Sequence, residues 1–300
     1  MRYLDADAVA ALGPAAAVRA VTRALDAGLD PSVDPPRARV DLSHGQFLLM
    51  PSEAPSAAGV KVVSVAPDNP ARGLPRIQAA YLLFDQQTLT LRAVLDGTAL
   101  TTLRTPAVSV AAVMDRLPHR PLRVAVVGAG PQATGHARTL AAVRPVEHTT
   151  YLVRDPSRTR LEAVALGSPQ AGEALHTADV VVFATSARSP VLDSGLLRDD
   201  VVVVAVGSHE PDARELDAAL LGRATVVVED VATALREAGD VVLAIAEGAL
   251  TARDLVPMRE VLSGAVAVPT DRPLVFKSVG MAWQDLVVAA AVLERDGDLP

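Results

Sequence analysis

The sequence has no cysteine, which excludes disulfides, thiolate metal sites and a cysteine nucleophile. No apolar run approaches the roughly 18 residues that a membrane span requires. The opening MRYLDADAVA lacks the profile of a secretory signal. Basic charge is not in excess: 28 Lys and Arg against 35 Asp and Glu give a formal net charge of −7, so there is no footprint for nucleic acid. Internal repeats and low-complexity tracts are also missing. These absences lead us to expect a soluble cytoplasmic enzyme with no metal, no membrane and no nucleic acid among its partners. Apolar residues are plentiful. Half of the 300 residues are hydrophobic and 21% are charged, enough for a sizeable core in one large domain or two ordinary ones. The excess of alanine and valine reads as codon bias.

The stretch that organises the rest is Leu122 to Leu140, LRVAVVGAGPQATGHARTL. Val124–Val127 is a short β-branched run suited to a strand buried on both faces. It ends in Gly128-Ala129-Gly130-Pro131-Gln132-Ala133, and a helical pattern follows with Ala133, Ala137 and Leu140 spaced to face a sheet. This is the G-x-G-x-x-A dinucleotide fingerprint in its required context, strand before and helix after. Gly128 permits the tight turn, Gly130 leaves room for a pyrophosphate, and Ala133 lets helix and strand pack closely. The helix N-terminus then offers its amides to phosphate.

Around that centre the chain has two textures. Residues 5–28 follow a helical period through Val9, Leu12, Val18, Val21 and Leu25, with Pro14 in the first turn of a second helix. After a Pro-rich turn, Pro31 to Pro36, short strands are expected at Phe47–Met50, Val60–Val65, Ala79–Phe84 and Leu89–Leu95, forming a mostly antiparallel sheet. Thr98 to Leu117 is helical. Further strands are expected at Thr149–Val153, Val180–Ala184, Val201–Val206 and Thr225–Val228, with helices at 157–166, 212–222 and 231–238. That alternation means a doubly wound parallel sheet. Its third strand is not evident between Leu166 and Asp179, so that edge is expected to be short. Leu274-Val275-Phe276 reads as a strand and Met281–Leu293 as a final helix, with Trp283, Leu286, Val287 and Ala290 on one side. The expected class is α/β: a doubly wound, Rossmann-type domain over 118–269, and an α+β domain over 1–117 completed by 270–300.

Several segments carry a further likeness. They are Leu49-Met50-Pro51 followed by Gly59-Val60-Lys61-Val62-Val63-Ser64; Leu95-Asp96-Gly97-Thr98 followed by Leu103-Arg104-Thr105-Pro106; and Phe276-Lys277-Ser278-Val279-Gly280-Met281. With VGAGPQA and Val206-Gly207-Ser208 they closely resemble the ornithine cyclodeaminase/μ-crystallin family, over nearly the whole chain and in order. The resemblance implies an N-terminal α+β domain that binds substrate and dimerises through its sheet, beside an NAD(P)-binding domain. It also implies hydride transfer at the α-carbon of a small amino or imino acid.

The residues suit that role. A small amino acid needs its carboxylate held by fixed cations, and Arg37, Lys61 and Arg104 supply three. By likeness, Arg37 and Lys61 hold substrate, Arg104 lies between substrate and cofactor, and Lys61 can also move a proton. Exposed arginine is common, and a strand only places Lys61 on the face opposite its immediate neighbours, so periodicity alone does not assign either residue. For the cofactor, Pro131 and Gln132 match the family's turn. Thr185 follows the fourth strand and Val206-Gly207-Ser208 the fifth, at the strand ends where doubly wound sheets bind ligands. Ser278-Val279 matches the loop near the nicotinamide, with Val279 also toward substrate. Each Ser or Thr has the alternative of being a cap or turn residue.

The end of the second strand discriminates between cofactors. An NAD enzyme usually places a carboxylate there, whereas a nearby arginine accommodates the 2′-phosphate of NADP. Val153 occupies the acid position and is followed by Arg154, with Arg158 beyond, which favours NADP(H); Asp155 is the competing acid and keeps NAD(H) open. A departure lies at Gly207-Ser208-His209-Glu210-Pro211-Asp212. Cyclodeaminases resemble Gly-Gly-Asp-Cys-Pro-Gly-Lys there, but here His209 takes the Asp position and Ala213 that of the Lys. Pro211 to Asp217 resembles instead the reductase-like branch, P-D-x-R-E-L-D. His209 is an acid/base candidate or an exposed loop histidine, and Asp212 and Asp217 read as helix caps. The expectation is an NAD(P)-dependent amino- or imino-acid oxidoreductase and homodimer. The alternatives are a cyclodeaminase and a non-enzymatic, crystallin-like binder.

Overall fold

Six strands form the first sheet of the computed structural model, which describes residues 1–297. They are β1 (Arg2–Leu4), β2 (Ala38–Leu42), β3 (Gly45–Ala54), β4 (Ala57–Val65), β5 (Ile77–Asp85) and β6 (Leu91–Asp96), ordered β1-β6-β5-β4-β3-β2. All neighbours are antiparallel except β1 with β6. The four expected strands are present, three of them longer and β6 shifted to start at Leu91, whereas β1 and β2 were not foreseen. The former has three residues and the latter is exposed throughout, so neither carries a buried alternation to read. The helices Ala6–Ala10 and Pro14–Asp26 form as expected, the second with Pro14 in its first turn. Helix Ala282–Arg295 packs on β3 and β4, where Ala282 joins Met50 and Val63 in a small core.

The second sheet has eight parallel strands: β7 (Leu122–Val127), β8 (Val146–Val153), β9 (Ala163–Ala165), β10 (Val180–Phe183), β11 (Val202–Ala205), β12 (Thr225–Val228), β13 (Leu255–Pro257) and β14 (Leu274–Lys277). Their order is β13-β12-β14-β11-β10-β7-β8-β9. β10, β11 and β14 are buried at every residue, which explains the unbroken apolar runs of the first two and of Leu274–Phe276 in the third. Ala133, Ala137 and Leu140 of helix Pro131–Val143 are buried, as their spacing requires.

The chain divides into two units, Met1–Val108 with the residues from Met281 onward, and Ser109–Gly280. The first division falls inside one helix, Gly97–Val113. The expected boundaries at 117/118 and 269/270 therefore shift. Residues 270–280 belong to the second unit because β14 is an interior strand of its sheet, between β11 and β12. The final helix does return to the first unit.

Two expected helices need correction. Residues 157–166 hold a 3₁₀ turn, Pro156–Arg158, and then β9, which pairs with Tyr151–Val153. Sheet pairing overrides a weak helical period there. The third strand thus precedes Leu166, and the stretch after it forms helix Pro169–Thr177, capped by Ser168 with Pro169 in the first turn. The helix expected at 212–222 is confined to Ala218–Arg223, with Asp217 as its cap. Asp212 is no cap; it pairs with Arg188 at the surface.

Candidate active site

In the first unit the motifs converge on one buried cluster. β4 turns Ala57, Gly59, Lys61 and Val63 to its buried face, and the register sets Lys61 between Met50 of β3 and Tyr81 of β5. A Cβ on Gly59 would lie 2.1 Å from the Tyr81 hydroxyl, so glycine is needed beside that ring. Asp96-Gly97-Thr98 starts the helix that carries Arg104. The Asp96 carboxylate accepts from the Thr98 and Ala99 amides at 2.9 and 2.8 Å, and Gly97 has no room for a side chain against Ala79. Two turns later Arg104 is only 5% exposed. Its Nε donates to Asp285 Oδ1 at 3.2 Å and its Nη1 to Gln284 Oε1. Lys61 Nζ donates to the other oxygen of Asp285 at 2.7 Å.

Two buried cations therefore share one buried carboxylate. Burial is the main force lowering the Lys61 pKa to about 8; the Arg104 charge and, more weakly, Arg37 lower it further, while Asp285 opposes them. Arg37 is half-buried just before β2, near enough to act on Lys61. Asp34 accepts from the Ser52 hydroxyl and the Trp283 amide, both at 2.6 Å, and burial raises its pKa against those bonds. A groove of about 840 Å³ lies elsewhere in this unit, lined by Leu12, Ala16 and Ala20 and by Trp283, Leu286 and Ala290, and holds none of the three cations.

In the second unit the expected cofactor residues gather at the carboxyl ends of the strands. Gly128 has φ +123°, and a Cβ there would meet the Ala184 carbonyl oxygen at 2.5 Å. A Cβ on Gly130 would meet nothing within 4 Å, and no side chain caps the helix that starts at Pro131. This turn has the open backbone that a pyrophosphate needs. Behind it His136 is buried, its Nδ1 2.7 Å from the Gln132 carbonyl and its Nε2 3.0 Å from the Ser109 hydroxyl. A carbonyl only accepts, so Nδ1 carries the proton and Nε2 accepts from Ser109. Burial pushes this imidazole down to about 4, which keeps it neutral.

The hydroxyls expected near the cofactor are turned inward. Thr185 donates its amide and hydroxyl to Glu215, and Ser208 donates to the Ala213 carbonyl. Ser278 donates to Glu229 at 2.8 Å, and Glu229 also accepts from the Val279 and Gly280 amides. These three residues are caps of loops, the alternative open to each of them, and their backbones remain at the strand ends. Val206 and Gly207 follow β11, and His209 is exposed in the same loop. Arg154 and Arg158 are exposed beyond β8, after Val153, while Asp155 is occupied in accepting from the amide and hydroxyl of Ser157.

Residues 14–298 match the model of the ornithine cyclodeaminase/μ-crystallin family. The chain belongs to that family. It is 36% identical to a Δ1-pyrroline-2-carboxylate/Δ1-piperideine-2-carboxylate reductase of Azospirillum brasilense, over 88% of this chain and 85% of that one. It is 34% identical to ketimine reductase μ-crystallin of Mus musculus, over 84% and 81%. Among solved structures it superposes on Thermococcus litoralis Δ1-pyrroline-2-carboxylate reductase, a complex with NADH and L-proline. The TM-score there is 0.85 with 28% identity, covering 98% of this chain and 97% of that one.

In this family member the residues that sequence reasoning missed are the acids opposite the cations and hydroxyls: Asp285, Glu215, Glu229 and Asp240. Asp240 pairs with Lys277 at 2.9 Å, both fully buried. Signals existed for two of these interactions. Gln284-Asp285 interrupts an otherwise apolar helix face, and Lys277 ends a strand with no solvent face, so each needed a buried partner.

Proposed function

We propose that this chain reduces a cyclic imino acid of the Δ1-pyrroline-2-carboxylate or Δ1-piperideine-2-carboxylate type, with hydride from NADPH. It is an NAD(P)-dependent oxidoreductase acting at the C–N bond of a small amino or imino acid, in keeping with its reductase relatives. The observation that carries the substrate class is the Lys61–Asp285–Arg104 cluster. With Arg37 near Lys61, three cations stand with two acids, Asp285 and Asp34, an excess of positive charge suited to one substrate carboxylate. Arg104 and Arg37 orient that carboxylate, and Lys61 gives its proton to the imine nitrogen as C2 accepts hydride.

Gly128, Gly130, Pro131, Gln132 and Ala133 hold the dinucleotide phosphates, joined by the backbones of Thr185, Val206, Gly207, Ser208 and Ser278. The cofactor, when bound, supplies the hydride and nothing else is asked of it. NADPH is favoured because Val153 cannot bond a ribose 2′-hydroxyl, Asp155 is occupied by Ser157, and Arg154 and Arg158 are available to a 2′-phosphate. His209 is the lesser acid/base candidate of the cofactor-binding unit, exposed in the loop after β11. The chain works as a cytoplasmic homodimer. Against the cyclodeaminase alternative stand His209 in the place of an aspartate and the buried Ala213 in the place of a lysine.

The test is NADPH oxidation with Δ1-pyrroline-2-carboxylate and Δ1-piperideine-2-carboxylate. Stoichiometric cofactor loss with formation of proline or pipecolate is expected. Ammonia release from ornithine without net cofactor change would favour the lyase. Arg154→Ala should weaken NADPH binding by about tenfold, the lower end for a charge-assisted contact because the residue is exposed, and leave NADH unaffected. An unchanged preference removes Arg154 from the argument.

A further inference from the structure

Glu215 lies in the P-D-x-R-E-L-D segment, and its carboxylate is fully buried. Its Oε1 accepts from the amide and the hydroxyl of Thr185 at 2.7 and 2.8 Å, and its Oε2 from the Gly207 amide at 2.6 Å. Thr185 belongs to the loop after β10 and Gly207 to the loop after β11. The Glu215 and Leu216 amides in turn donate to Asp240 Oδ1, at 2.7 and 2.8 Å. Asp240 pairs with Lys277 at the end of β14, and Lys277 donates to the Ser208 carbonyl at 2.6 Å. A closed circuit of buried polar groups thus ties together the ends of three neighbouring strands, β10, β11 and β14.

The same loops are stacked with no slack. A Cβ on Gly207 would lie 2.1 Å from the Thr185 carbonyl oxygen and 2.5 Å from the Glu215 carboxylate. A Cβ on Gly128 would meet the carbonyl oxygen of Ala184, the residue before Thr185. Displacing Thr185 therefore displaces the wall against which the Gly128 turn rests. That turn stands at the switch point of the sheet, where β8 and β9 extend to one side of β7 and β10 to the other. Burying a carboxylate is costly unless it collects several donors, and this one collects its three from the two loops beside the fingerprint.

We propose that Glu215 is a positioning residue for the dinucleotide, acting through Thr185 and Gly207 to fix the wall of the Gly128 turn. The proposal rests on the reading of this unit as the NAD(P) domain, and it gives the Thr185 hydroxyl an inward task in place of cofactor contact. The experiment titrates the full chain with NADPH by fluorescence and measures KM for NADPH and kcat on Δ1-pyrroline-2-carboxylate. Glu215→Gln replaces one acceptor oxygen by a donor amide facing other donors. It should raise the NADPH Kd and KM at least tenfold while kcat at saturating NADPH stays within about threefold. Thr185→Val, which removes one of three bonds, should raise Kd about threefold, and the double variant should show less than the product of the two. A purely structural role would lower Tm with no change in Kd, and that result overturns the proposal. If Glu215→Gln fails to fold, Thr185→Val decides alone: an unchanged Kd there overturns the proposal too. Failure of the wild type to bind NADPH or NADH would overturn the cofactor reading, and this inference with it. Tight wild-type binding retained in Glu215→Gln overturns the inference alone.

Discussion

Lys61 is held between opposed demands. Burial and the Arg104 charge favour its neutral form, Asp285 favours the ammonium, and the balance lies at about 8. An amine that donates a proton to an imine must be protonated first. The competent form therefore predominates below about pH 8 and is lost as pH rises through it. We expect kcat/KM for imine reduction, which reports the free enzyme, to be level below that pH and to fall tenfold per unit above it. Asp285→Asn removes the one group supporting the ammonium and should move this limb to lower pH. A limb that stays in place in Asp285→Asn would exclude Lys61 as its origin. At this scale the sequence disclosed the cations but not their partners. Arg37, Lys61 and Arg104 stand out in short motifs, whereas Asp285 meets Lys61 only because the final helix packs back on β3 and β4, a pairing across 224 positions. The partners of the Thr185, Ser208 and Ser278 hydroxyls were hidden for the same reason. A hydroxyl at a strand end looks free until the distant carboxylate or carbonyl that takes its proton is known.

At the scale of elements, strands with a strong local signature were legible and those defined by pairing were not. Val180–Phe183 and Thr225–Val228 are apolar runs that can only be interior strands. β9 has three half-buried residues and exists because β8 offers it an edge. β2 is likewise an edge strand, exposed at all five positions, yet Val40 and Leu42 are 43% and 47% exposed on the face they share with Phe47, at 38%. An apolar face on an open edge invites a second copy of the chain. Light scattering at micromolar concentration should give the mass of a dimer, and Val40→Glu with Phe47→Glu should give a monomer. A monomeric wild type would refute the homodimer, and a dimeric double variant would move the interface elsewhere.

At the scale of the whole molecule, the arginines and lysines divide sharply. The sequence has two lysines, Lys61 and Lys277, one in each unit, exposed by only 2% and 1% and each paired with a buried aspartate. The cationic surface is left to arginine, which amine-directed reagents do not touch. An acylating reagent at neutral pH should therefore modify the Met1 amine at once and both lysines at least a hundredfold more slowly. Fast labelling of either would mean that its ion pair does not persist in solution. Slow labelling yields something more useful, since each lysine then reacts only when its own unit opens. The two lysine amines, resolved by mass, become independent clocks for the opening of the two units, and on the proposed function NADPH should slow the second.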